Sequence, residues 1–113
     1  MADKILNRNP LPLNDDLAKE KLLQRTLGGQ NSGVVYESEK VQVEYMQSDD
    51  IFMAEILSPE IDKVKAETNV WFRNQGLSQE AICNMPVIFY LRTDVADQLQ
   101  QKNIIFNPLP NGC

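Results

Sequence analysis

The chain predicts an α+β domain, in which a small antiparallel or mixed sheet carries helices packed on one face and extended arms leave both ends. Three observations point to it. From Val41 to Met46 apolar and polar side chains alternate with the period of two that a half-buried strand requires. Behind Ser58-Pro59-Glu60, the residues Ile61, Val64, Thr68, Trp71 and Phe72 recur at helical spacing. After Pro86, the run Val87 to Leu91 is rich in strand formers. Helices and strands mix along the chain without strict alternation, which suits helices gathered on one side of a sheet.

At 113 residues the chain has the size of one domain. Such a domain buries roughly two-thirds of its unfolded surface, enough to fold without metal or disulfide staples. Residues 1–13 read as an extended arm, residues 14–106 as the single α+β domain, and residues 107–113 as a tail. Asn7, Asn9, Pro10 and Pro12 keep the arm out of regular structure. Asn9-Pro10-Leu11-Pro12 recurs near the other end as Asn107-Pro108-Leu109-Pro110, and both segments should be stiff and polyproline-like.

A first helix is expected from Asp15 to Leu27, capped by Asn14 and stopped by Gly28-Gly29, with Asp15 and Asp16 at the positive end of its dipole. Val34 to Glu37 and Lys40 to Met46 read as two strands joined at Ser38-Glu39, or as one continuous strand. Ile51 to Leu57 is too short for periodicity to separate strand from helix, and a third strand is favoured by the helix start that follows. In that helix Ser58 should be the N-cap, Pro59 the first residue and Gly76 the stop, with Lys63 paired to Glu67 and Trp71 in the core. Ser78 should cap a short helix, Gln79 to Asn84. Val87 to Leu91 reads as a buried central strand, Thr93 as the cap of a helix from Asp94 to Lys102, and Ile104 to Phe106 as a last short strand.

The composition excludes more chemistry than it suggests. The chain has no histidine, so the commonest general base and metal ligand are both missing. Its net charge is −5 and its eleven basic residues never adjoin, so neither nucleic acid nor an anionic membrane surface is an expected partner. Gly28 to Gly33 follows a helix instead of opening one and lacks the Gly-Lys-Ser/Thr ending, so it reads as a connector rather than a phosphate cradle. The pairs Asp15/Asp16, Asp49/Asp50 and Asp94/Asp97 fall at helix starts or in a turn, where carboxylates serve structure. Trp71-Phe72 reads as core rather than a stacking platform. Cys83 reads as a small buried hydrophobe with no imidazole to activate it. No catalytic residue, metal site or cofactor is expected. With two cysteines, no secretory signal at Met1-Ala2-Asp3-Lys4 and no apolar stretch approaching about 18 residues, the cytoplasm is the expected location.

The expected function is that of a small accessory or interaction protein acting by contact with a protein partner or with its own copies. The arms carry that expectation. Ile5, Leu6, Pro10, Leu11, Pro12 and Leu13 at one end, and Pro108, Leu109 and Pro110 at the other, are apolar residues outside any predictable element. Docking on a partner and folding back on the domain are both open to them. One alternative is a thiol or sulfur carrier using Cys113, set on a mobile tail behind Gly112. Another is a small-molecule domain, or a histidine-free enzyme, with its pocket beside the Trp71 helix.

Overall fold

The computed structural model describes residues 11–113, so Ile5, Leu6 and Pro10 lie outside the described residues. The elements run α1 (Leu13–Leu27), β1 (Gly33–Glu37), β2 (Val41–Met46), β3 (Ile51–Ile56), α2 (Ile61–Asn74), α3 (Gln79–Asn84), β4 (Val87–Leu91) and α4 (Thr93–Gln101). The fold is α+β, with a mixed sheet ordered β1-β2-β3-β4. The first three strands form an antiparallel meander and β4 joins β3 in parallel. Ser38 and Glu39 do turn the chain, since Ser38 N–H donates to Val41 O at 2.8 Å. Ile51 to Ile56 is a strand paired along its whole length with β2.

Among the described residues, the helices cover the sheet on one side only. Val41, Val43 and Tyr45 of β2 face inward beside Phe52, Ala54 and Ile56 of β3 and Val87 and Phe89 of β4. The helices bring Leu22, Val64, Phe72, Ala81, Ile82, Val95 and Leu99 to the same cluster. A bulge between Val34 and Tyr36 shifts the register of β1, so that Tyr36 lies opposite the inward-facing Val43. Tyr36 there stacks on Trp71 of α2 with ring centroids 5.0 Å apart.

Several elements begin elsewhere than expected, each for a local reason. Helix α1 starts at Leu13, inside the expected arm, with Pro12 at its N-cap and no side-chain cap. Asn14 is exposed, and the useful carboxylate is that of Asp15, which is buried. It accepts Ser78 N–H at 2.7 Å and the Ser78 hydroxyl at 2.9 Å, while the Ser78 oxygen accepts Ala81 N–H at 3.1 Å. One cap thus ties the start of α1 to the start of α3. Helix α2 starts after Glu60, not after Ser58. Glu60 holds φ −80 and ψ 66 while Ile61 N–H donates to Pro59 O, an inverse γ-turn that no helix can continue. Lys63 pairs back to Glu60 at 2.7 Å, and Glu67 accepts instead from the hydroxyls of Tyr36 and Ser38. At the other end, Gly76 takes φ 95 directly after the C-cap, a left-handed turn that glycine makes without strain.

Four further expectations are corrected. Trp71 is only partly buried, at the margin between Tyr36 and Phe72, whereas Phe72 is the fully buried residue. Strand β4 closes one edge of the sheet instead of lying at its centre. Ile104 to Phe106 forms no strand; the neighbouring tail approaches β4 instead, where Phe89 N–H donates to Pro108 O at 2.8 Å. A stretch with prolines at 108 and 110 cannot extend that contact into a ladder. Helix α4 begins at Thr93 itself behind Arg92, which pairs with Asp94 at 2.6 Å.

Urea unfolding should rank the aromatic residues of α2. Phe72→Ala should cost about 3–5 kcal/mol through the cavity it leaves, and Trp71→Ala clearly less. Equal losses would show that Trp71 belongs to the core.

Candidate functional site

Strand alternation sends a second set of side chains to the uncovered face of the sheet. The registers place Val34, Glu44, Met53 and Ile88 in one row across the four strands. Glu37, Gln42, Glu55 and Tyr90 form the next row, and Met46 with Ile51 a shorter one. None of these residues belongs to the core cluster that the helices share. Val34, Met46 and Tyr90 are large apolar residues left exposed, at 43%, 38% and 37%. These rows hold three glutamates and no Lys or Arg, while Arg92 beyond the end of β4 lies close enough to Glu55 to feel its charge. Burial, and then the charges of Glu55 and Glu44, hold the Tyr90 phenol above its usual 10.0, so it stays a neutral hydroxyl at ordinary pH. The face offers an apolar surface edged by negative charge.

The second constructed feature lies beyond β4. Lys65 of α2 is 5% exposed, and its Nζ lies 5.5 Å from the Phe89 ring centroid and 5.4 Å from that of Phe106. Its Nζ donates to the carbonyls of Asn107 and Leu109 at 2.5 and 2.7 Å. Burial pushes its pKa below the usual 10.5, against a smaller upward pull from Asp62. Pro110 is buried, and Pro108 and Leu109 are partly so. Gly112 at φ 80 folds the last residues round, with Cys113 N–H donating to Pro110 O. Cys113 is then joined to Cys83 of α3 in a disulfide spanning 30 residues. Closing a loop of that length stabilises the folded chain by about 3–4 kcal/mol on chain-entropy grounds. A cleft of about 420 Å³ lies beside this segment, walled by Ile61, Asp62, Lys65, Leu99, Phe106 and Asn107 among others.

The expected site residues therefore divide. Pro108, Leu109 and Pro110 are held against their own domain. Leu11 packs on the margin of the core, Pro12 is exposed, and Leu13 is 73% exposed on the first turn of α1. The structure does not bring the two arms' residues into one described surface. Cys83 is half-buried and bonded rather than a free core thiol, and Cys113 carries no free thiol in this form. The pairing also removes one support for the cytoplasm, because that expectation took both cysteines as free. Beside Trp71 there is a shallow hollow of about 330 Å³, lined by Tyr36, Ala66, Glu67, Val70 and Asn74, where the Tyr36 hydroxyl is already engaged by Glu67.

One member of each carboxylate pair serves a bond within the fold. Asp15 holds Ser78, Asp50 accepts from Lys19, and the hydrogen bond from Arg92 keeps Asp94 below its usual carboxylate range. Among the described residues no group of three or more His, Cys, Asp or Glu could hold a metal, and no helix is long and apolar enough to cross a membrane. The chain matches no protein-family model, no curated protein and no solved structure.

Two measurements check this geometry. Exchanging Lys65 for Met should strand the carbonyls of Asn107 and Leu109 and speed hydrogen exchange at the Phe89 amide; unchanged protection would mean the ammonium does not anchor the tail. In alkaline titration, Tyr90 should ionise above 10.0. Since its folded value exceeds its unfolded one, the stability it contributes is intact below that pH and lost as pH climbs through the raised value. Tyr90→Phe should flatten that part of the alkaline stability curve.

Proposed function

We propose that the protein is a small binding module that holds another protein against the uncovered face of its sheet. One observation carries the reading: the face leaves Val34 and Met46 exposed and Met53 half-buried among glutamates, with no described helix packed on it, while Ile51 and Ile88 of the same rows are themselves buried at 8% exposure. Apolar residues that take no part in the shared core are better placed for an external contact than for folding. The charge pattern selects the partner's chemistry. Glu37, Glu44 and Glu55 favour a surface that pairs apolar side chains with Lys or Arg, and like-charged surfaces are turned away. The net charge of −5 supports the same polarity at longer range.

The carrier reading requires a free Cys113 thiol and so is confined to the reduced chain. A cytoplasmic setting would favour that form, because the cytosol keeps most thiols reduced.

Site-specific photo-crosslinking in the native host tests the binding reading. A crosslinker at Met53 should yield discrete protein adducts that are lost when Glu44 and Glu55 are changed to Lys. One at the exposed Lys63 of α2 should yield none of them. Identical adducts from both positions, or none from Met53, would overturn the proposal.

A further inference from the structure

The seat beyond β4 uses all four residues of Asn107-Pro108-Leu109-Pro110. The carbonyls of Asn107 and Leu109 take Lys65 Nζ, and the carbonyl between them takes Phe89 N–H. The prolines bring no N–H that burial would strand. The N–H between the two prolines, that of Leu109, donates to Asn107 Oδ1 at 3.0 Å. Pro110 is buried. Asparagine and the two prolines therefore each meet a requirement of the seat, and Leu109 supplies a backbone carbonyl to it. The same four residues occur once more in this chain, as Asn9-Pro10-Leu11-Pro12. Pro12, the described end of that copy, already has the polyproline-like backbone of such a segment, with φ −53 and ψ 151.

We propose that this seat is a recognition site for an extended Asn-Pro-Leu-Pro segment, and that residues 9–12 of a second copy of the chain occupy it once the Cys83–Cys113 disulfide is reduced. While the disulfide is closed, the chain's own tail is tethered at the seat at high effective concentration and excludes a competitor. A dithiol reductant opens it. One thiolate attacks a cysteine sulfur to form a mixed disulfide, and the reductant's second thiol displaces the protein. The reductant leaves as a cyclic disulfide, and two electrons and two protons pass to the cysteines as two thiols. The tail is then held only by non-covalent contacts and exchanges with an identical segment.

A second copy is the better placed occupant. Within one chain, Pro12 is fixed at the start of α1, which Asp15 ties to Ser78, whereas another molecule approaches in any orientation. The exchange gives up the packing of Leu11 on the core margin and the arrangement is head to tail. It does not involve the uncovered sheet face, so the two readings fail separately.

The test uses the full chain. Sedimentation and light scattering should show a monomer when oxidised, and concentration-dependent association both with dithiothreitol and in Cys113→Ser. The double change Asn9→Ala and Pro10→Ala should abolish association of the Cys113→Ser protein. A synthetic peptide of residues 7–13 should inhibit it, and should bind the unlocked protein at least about tenfold more tightly than the oxidised one. A monomeric unlocked protein overturns the proposal, as does peptide binding that is equal in both redox forms. Association that survives the Asn9 and Pro10 changes but is lost in Met53→Arg also overturns it and assigns self-contact to the sheet face. Two free thiols in the air-oxidised protein would remove the lock.

Discussion

A four-stranded sheet has two faces to shield, and the described helices of this protein serve one. Leu22, Val64, Phe72, Ile82, Val95 and Leu99 converge on the inward residues of the four strands. Each large side chain fully withdrawn from water there contributes about 1.5–3 kcal/mol before its entropy is charged. The outward residues gain much less, so Val34, Met46 and Met53 add little to folding. The bulge in β1 follows from the same asymmetry. It carries Tyr36 to the covered side, where Trp71 and Glu67 receive its ring and hydroxyl.

Lys65 meets the opposite difficulty. A cation at a nearly buried position must be compensated, and here two carbonyls and two aromatic rings compensate it. The compensating groups come largely from outside any helix or strand. A segment without regular structure is thereby ordered by a side chain from the middle of a helix. The exposed backbone edge of β4 receives a partner at Phe89 in the same arrangement.

The fold class, the hairpin, the short capped helix from Gln79 to Asn84 and the strand from Val87 to Leu91 were legible because local chemistry decides them. Alternation, a serine cap and a proline stop act within a few residues. Element starts were less legible where a longer-range demand prevailed, as when Asp15 served Ser78 instead of leaving the cap of α1 to Asn14. The uncovered face was not legible as a unit. Its residues come from four strands, and cross-strand register cannot be read along one of them. Alternation along Val41 to Met46 marks Glu44 as an outward position, but nothing local marks Met53 or Ile88 beside it. Lys65 had a signal that went unused: it lies on the stripe Ile61, Lys65, Thr68 and Phe72, where a charge is not expected. The disulfide had none, since Cys83 and Cys113 meet only because the tail turns back.

The carboxylate shared between Asp15 and Ser78 has a consequence for how the molecule opens. Asp15 and Ser78, 63 residues apart along the chain and at the starts of two helices, are held together by one side chain. Fraying at the first turn of α1 withdraws the acceptor from the α3 cap, and melting of α3 leaves Asp15 buried without its donors. The two ends therefore come undone together. Because α3 also bears Cys83, a pull on the arm ahead of α1 is transmitted to the point where the tail is fastened.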